Sequence, residues 1–290
     1  MRKSSLYLSD RLKAGLAARS RATGRSEAEL IRDALEAALA ASPTAAGESR
    51  ERPRPGHLVG VGVGPGEPDL LTLRAEAALR RADRVLAPST AVDAVGRAEA
   101  IVRQAVPGLA VERVPFAMVT SRPARDQSVA RAAATVAGHL DAGDEVAWIT
   151  LGDPLVYSTF AAVAGAVGQR RPATVVTSIP GIMAFQALAA RTGTVVTDER
   201  DRLVVRTALD GEELGDDLAD PDSTVVIYKG GRRLPELAEA ASRAGRAQRA
   251  VVGELLGLPG ERIGGLEELG AQGPASYLAT VIVPAKGDGR

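Results

Sequence analysis

The chain has no cysteine, which excludes disulfides, thiolate metal sites and cysteine nucleophiles together. It has two histidines, His57 and His139, far apart in sequence. A histidine metal centre or a histidine-based triad therefore has little to be built from. Aromatics make up 3% of the residues. No apolar run reaches the roughly 18 residues of a membrane span. The N-terminus carries charge without an apolar signal core, so a cytoplasmic location is expected. No Gly-Lys-Ser/Thr triplet follows a glycine loop, so a phosphate-binding loop is missing. The dinucleotide fingerprint fails as well. Gly60 and Gly62 would need glycine at 65, where Pro65 stands, and Gly62 and Gly64 would need it at 67, where Glu67 stands.

The composition is that of a soluble globular protein: 45% apolar and 25% charged residues over 290 positions, enough for two or three folding units. A net charge of zero hides an asymmetry. Residues 1–42 hold eight basic and five acidic side chains, and the remainder holds 28 and 31. A basic module on a mildly acidic body suggests two functions on one chain. Between them, residues 43–56 are rich in proline and charge and lack periodicity, which marks a linker.

The module reads strand, helix, helix. Leu6 and Leu8 share one face of a short strand, with Lys3, Ser5 and Tyr7 on the other. Ser9 or Asp10 can cap a helix carrying Leu12 and Leu16. Thr23-Gly24-Arg25 is a turn, and Ser26 with Glu29 forms a capping box ahead of a stripe of Leu30, Ala34, Leu35 and Leu39. A unit this small cannot bury a core alone, and its single strand needs another. The segments K-S-S-L-Y-L-S-D-R-L and T-G-R-S-E-A-E-L-I-R-D-A-L resemble the ribbon-helix-helix family. The resemblance implies a homodimer formed by strand pairing, with Lys3, Ser5 and Tyr7 facing DNA bases and the backbone around Ser26 meeting phosphate. The alternative is a dimerisation element without DNA.

The body, residues 57–290, alternates strands and helices, so an α/β fold with a parallel sheet is expected early. Strands are expected at 57–63, 84–87, 145–151, 173–178, 203–206, 223–228, 249–253 and 276–283. Helices are expected near 69–82 (Leu70, Leu73, Ala77, Leu79), 124–141, 157–168, 181–191 and 232–243. The last third carries shorter helices and more strands, which suggests a second, mixed-sheet domain. We place the two domains at 57–170 and 171–290.

Three strand ends put glycine beside proline: V-G-P-G-E-P-D-L-L-T (63–72), T-L-G-D-P-L-V-Y-S-T-F (150–160) and I-P-G-I-M-A-F-Q-A (179–187). Such turns let backbone approach a ligand closely. Pro65 and Pro68 remove two donors that a phosphate would use, so the first turn suits a neutral or cationic ligand. Asp153 can hold a ribose or an ammonium group, or cap its own turn.

In this order the three turns resemble the tetrapyrrole methylase family, over essentially all of 57–285. L-G-D-P-L-V-Y-S-T-F, Val114-Pro-Phe-Ala-Met118 and Pro180-Gly-Ile-Met-Ala-Phe-Gln-Ala187 resemble the subgroup that methylates precorrin-2, or its cobalt-bound form, at C(20). Met183-Ala184, where Thr-Ser is usual, and the stretch from Arg191 to Asp198 depart from its pattern. The resemblance implies S-adenosyl-L-methionine as methyl donor and a tetrapyrrole as substrate. It implies cofactor contacts from Pro65, Leu151, Gly152, Asp153, Val156, Met183, Ala184 and Lys229. Asp69, Tyr157, Ser158 and Thr159 fall on the substrate side, and Asp153 and Tyr157 are candidate proton acceptors beside water.

Plainer roles stand beside these. Asp69 can be a helix cap, Tyr157 packing, Lys229 a charge on a strand edge and Trp148 core. Arg122, Arg125 and Arg131 can greet a substrate's carboxylates or form a solvated helix face. Two other functions stay open: methylation of a different tetrapyrrole, and a DNA-binding regulator whose methylase-like body senses a ligand.

Overall fold

In the computed structural model the described residues are 10–40, 56–90, 95–117, 122–198, 200–209 and 214–286. The chain divides into two compact units, Met1–Glu51 and Arg52–Arg290. In the first, α1 (Asp10–Thr23) and α2 (Glu27–Ala40) form a helix pair. Gly24 ends α1 with φ of 67°, where a side chain would be strained. Ser26 and Glu29 form the expected reciprocal cap. Ser26 N–H donates to Glu29 Oε2 at 3.0 Å, and Glu29 N–H donates to Ser26 Oγ at 3.3 Å. The strand expected through Lys3, Ser5 and Tyr7 lies outside the described residues, as does all of the 43–56 linker except Gly56.

The second unit begins with β1 (His57–Gly62), α3 (Leu73–Arg81), β2 (Arg84–Ser89), α4 (Arg97–Ala105), β3 (Glu112–Pro115), α5 (Arg122–Asp141), β4 (Glu145–Thr150), α6 (Phe160–Arg170) and β5 (Val175–Ile179). The five strands form a wholly parallel sheet in the order β3-β2-β4-β1-β5. Strand residues alternate between its faces. Val59, Val61, Ala147 and Ile149 pack with α3 and α4, while Leu58, Val146 and Trp148 pack with α5 and α6. Cover on both faces is why β1 and β4 are almost continuously apolar. Trp148 is fully buried, as expected for core.

The chain continues through α7 (Ala184–Thr192), β6 (Arg202–Thr207), α8 (Gly215–Ala219), β7 (Ser223–Tyr228), α9 (Leu234–Arg243), β8 (Val251–Glu254), β9 (Arg262–Gly265), α10 (Leu266–Ala271) and β10 (Thr280–Val283). The second sheet runs β6-β7-β10-β8-β9 and is mixed: β6 and β7 are parallel and the other pairs antiparallel. Helices α8, α9 and α10 share one core with Val225, Ile227, Val252 and Val281. On the opposite face Phe185 and Leu188 of α7 pack on Val226 and Ile282. Helix α7 leaves the first sheet and covers the second, so it ties the two together.

Three expectations change. The helix after β1 does not start at Asp69. Pro68–Leu70 is a short 3₁₀ turn, and Thr72 caps α3 by accepting from Ala75 N–H at 3.2 Å. Asp69 is exposed. Leu79 is buried as expected, with Ala75 and Ala78 beside it, while Leu73 is 85% exposed and Ala77 lies on the outer face. Next, β5 pairs with β1 along Val175–Ile179, so the first sheet takes its last strand from beyond residue 171, where the sequence reading began the C-terminal domain. Finally, α4, β3, α8, β9 and α10 had no counterpart in that reading.

Candidate active site

The three glycine-proline turns meet at the carboxyl edge of the first sheet, because β4, β1 and β5 are neighbours there. Their backbones touch. Gly152 N–H donates to Gly64 O at 3.0 Å. A Cβ on Gly62 would lie 2.4 Å from Gly152 O, and one on Gly181 would lie 2.2 Å from the same atom. Only glycine permits that approach. Ligands of open α/β sheets bind at such carboxyl edges.

The turns form one wall of a cavity of about 550 Å³, within the roughly 300–1,000 Å³ common for small-molecule sites. Pro65 comes from the first turn; Leu151, Gly152, Asp153, Val156, Tyr157, Ser158 and Thr159 come from the second; Met183 and Ala184 come from the third. Lys229 joins them from the end of β7. The structure thus gathers every candidate residue of the three turns except Asp69, together with Lys229, and leaves out Arg122, Arg125 and Arg131. It adds two groups that no motif announced. One is Ser89, Thr90, Gly96 and Arg97 of the β2–α4 connection. The other is Tyr228, Tyr277 and Leu255–Leu258 from the second sheet. The first group was findable in principle, since β2 ends at the same edge as β1 and β4. The second carries no motif, only long-range placement.

Backbone strain concentrates at this cavity. Among the described residues, three that are not glycine have positive φ: Tyr157 at 48°, Lys229 at 61° and Leu255 at 53°. All three line the cavity. Such conformations cost about 1–3 kcal/mol each and persist where the surroundings impose them. Those surroundings are visible. Tyr157 Oη donates to Val205 O at 2.8 Å, and Lys229 Nζ donates to Tyr157 O at 3.3 Å. Tyr157 and Tyr228 pack edge to face with ring centroids 6.4 Å apart. Phe185 N–H donates to Tyr228 Oη at 3.3 Å, and burial pushes that phenol well up.

The polar side chains of the second turn are largely occupied. Asp153 Oδ1 accepts from Leu155 N–H at 2.8 Å and its Oδ2 from Gly181 N–H at 3.3 Å. The carboxylate caps its own turn and ties it to the third. Ser158 Oγ donates to Pro154 O and accepts from Phe160 N–H at 3.1 Å. Thr159 Oγ1 accepts from Trp148 Nε1 at 3.3 Å. At residue 183 there is no hydroxyl to cap α7, and Gln186 Oε1 instead accepts from Met183 N–H at 2.9 Å. Arg122, Arg125 and Arg131 are exposed on α5 and do not line the cavity.

The lining fits a small molecule with a cationic centre. Three tyrosines, one carboxylate and apolar Leu and Met side chains surround the space, and aromatic faces attract such cations. Pro65 offers a pyrophosphate no backbone donor. Neither histidine lines the cavity, and among the described residues no cluster of three potential metal ligands occurs. Among the described residues no helix is long and apolar enough to cross a membrane.

Residues 57–269 match the family described as Tetrapyrrole (Corrin/Porphyrin) Methylases. A precorrin-2 C(20)-methyltransferase from Sinorhizobium sp is 34% identical over 239 residues, spanning 79% of this chain and 95% of that protein. A cobalt-precorrin-2 C(20)-methyltransferase from Salmonella typhimurium is 29% identical over 231 residues, spanning 79% and 96%. The crystal structure of a uroporphyrin-III C-methyltransferase from Thermus thermophilus, complexed with S-adenosylhomocysteine, shares the fold. It has a TM-score of 0.55 and 23% identity, covering 78% of this chain and 97% of that one.

Proposed function

The chain belongs to the tetrapyrrole methylase family, and from that premise we infer that it transfers a methyl group from S-adenosylmethionine to C(20) of precorrin-2 or its cobalt-bound counterpart. The observation that carries this reading is the convergence of the three turns on one cavity that offers shape and backbone rather than a nucleophile. Two relatives similar along most of their length, both named for C(20) methylation, support the choice of substrate.

Bound in this cavity, S-adenosylmethionine would supply an electrophilic methyl group on a sulfonium centre. Pro65, Leu151–Asp153, Val156, Met183, Ala184 and Lys229 would hold it, mainly through main chain. Tyr157, Ser158 and Thr159 would bound the substrate side. Because the tetrapyrrole provides its own electron-rich carbon, the protein's task is to align two reactants, which by itself lowers the barrier substantially. Asp153 and Tyr157 serve that alignment. Both are bonded to backbone in ways that hold the second turn against its neighbours. We assign them to positioning and leave the proton lost from C(20) to water.

We further read residues 1–42 as a ribbon-helix-helix module that joins two copies of the chain and whose basic excess suits DNA phosphate. The helix pair with its Gly24 turn and Ser26–Glu29 cap supports that reading.

The test is incubation of the full chain with S-adenosylmethionine and either precorrin-2 or cobalt-precorrin-2, followed by mass spectrometry. A gain of one methyl group by one of them is expected, and which one gains it identifies the substrate. No gain by either overturns the assignment.

A further inference from the structure

The proposed function leaves Arg97 without a task, although it lines the cavity. This arginine opens α4, directly after Gly96, whose own Cβ position lies 3.6 Å from Pro88 O at the end of β2. Among the described residues no hydrogen bond or ion pair engages its guanidinium. The one influence on its protonation is desolvation, which lowers its pKa. Other arginines withdrawn from water in this chain have polar partners. Arg113, with 19% of its side chain exposed, pairs with Glu99. Buried Arg246 donates to the carbonyls of Leu218, Asp220, Val283 and Pro284. Arg97 stands apart from that pattern.

Its position is also fixed. Two residues along α4, Glu99 is fully buried and is held by Arg103 at 2.8 Å and Arg113 at 2.6 Å. That buried charge cluster anchors the first turn of α4 and with it the backbone that carries Arg97. The cavity's carboxylate, Asp153, already accepts from two backbone N–H groups. A cation kept partly out of water beside an open cavity lacks one component, an anion that completes a planar, two-pronged pair.

Building on the proposed function, we propose that Arg97 receives a carboxylate of the bound tetrapyrrole and so holds the ring in the cleft. The methyl donor carries a carboxylate too, at its amino-acid end. The tetrapyrrole is the favoured source because Arg97 comes from the β2–α4 connection and not from the turns that would hold the donor. The role first considered for Arg122, Arg125 and Arg131 on α5 thus passes to a residue the fold places inside the cavity.

The experiment compares the full chain with Arg97→Gln and Arg97→Lys by three readouts: KM and kcat for the precorrin-2 form that is methylated, Kd for uroporphyrin by fluorescence quenching, and Kd for S-adenosylhomocysteine by calorimetry. Uroporphyrin is a stable tetrapyrrole ringed with carboxylates. In Arg97→Gln, KM and the uroporphyrin Kd are expected to rise about tenfold to a hundredfold, the range for losing a charge-assisted hydrogen bond. The kcat and the S-adenosylhomocysteine Kd stay near the wild-type values, and Arg97→Lys recovers part of the loss. Unchanged tetrapyrrole affinity in both variants overturns the proposal. Weakened S-adenosylhomocysteine binding with tetrapyrrole affinity intact also overturns it and assigns Arg97 to the donor. If Arg97→Gln does not fold, the Lys variant, which keeps the charge but not the planar fork, carries the same comparison. Failure of the function itself reads differently: the wild type binds uroporphyrin through Arg97 yet methylates neither precorrin.

Discussion

The first sheet reaches the cleft with backbone: Gly62, Gly152 and Gly181 pack main chain against main chain, and Asp153 ties two of the three turns. The second sheet reaches it mainly with side chains: Tyr228, Tyr277 and the leucines at 255, 256 and 258 close the far wall, although the backbone at Leu256 approaches Gly66 closely. Each half holds a buried charge whose partners tie elements together, and the two are of opposite kind. Glu99 binds two arginines on the first side, and Arg246 gathers carbonyls on the second. The contrast teaches where tolerance should lie. A wall of touching backbones has no far end of a flexible side chain to move aside, and a wall of side chains does.

The sharpest way to break this contrast is a matched pair of substitutions. Gly181→Ala drives a Cβ to 2.2 Å from Gly152 O. It should cost about 3 kcal/mol or more, because only main chain can yield. Gly253→Ala meets the ends of Leu256 and Leu188 at 2.7 and 2.9 Å and should cost about 1 kcal/mol, since those ends can repack. Urea unfolding of both variants measures the difference, and equal costs would undo the distinction between the walls.

A smaller effect tests the buried charge of the first half. Hydrogen bonding to Arg113 leads the causes that hold the Glu99 carboxyl below its usual range. A depressed folded pKa means the contribution is complete above the ordinary carboxylate value near ~4.3 and is lost as pH falls through the lower, folded value. Glu99→Gln should lose about 3 kcal/mol near neutral pH, as expected when one partner of a buried pair is removed. The wild-type advantage should then narrow in acid. Thermal melts from pH 7 down to pH 3 check both parts, and a gap that stays constant through the acid range would contradict this origin.

The smallest effect concerns Lys229. At φ of 61° glycine is better suited than lysine, so Lys229→Gly should change stability by no more than about 1 kcal/mol. If Lys229 serves the donor through main chain, methyl transfer should persist within a few-fold. A large loss of turnover in the glycine variant would instead give the Nζ group a role of its own.

Much of the frame was legible along the chain. The runs at 57–63, 145–151 and 223–228 read as strands because their sheets are covered on both faces, leaving uninterrupted apolar sequence. The turns after β1, β4 and β5 read as ligand turns because glycine and proline there have few other uses. The Ser26–Glu29 cap was visible because its partners are three residues apart. Other elements were hidden for equally physical reasons. Helix α4 buries Glu99 and carries two arginines, so its sequence looks solvated until Arg113 arrives from β3. In α3, Leu79 packs as expected, whereas Leu73 and Ala77 face outward because the small residues Ala75 and Ala78 carry the rest of the contact with the sheet.

The sequence alone determined which backbones can touch. Glycine at 62, 152 and 181 and proline at 65 and 154 are local properties, present before folding, and they suffice to specify three tight turns. Tertiary structure alone decided what those turns enclose. The bond from Tyr157 to Val205, the bond from Asp153 to Gly181 and the entry of Arg97 into the cavity join residues far apart in sequence. Such contacts depend on strand order and helix packing, which no local spacing encodes.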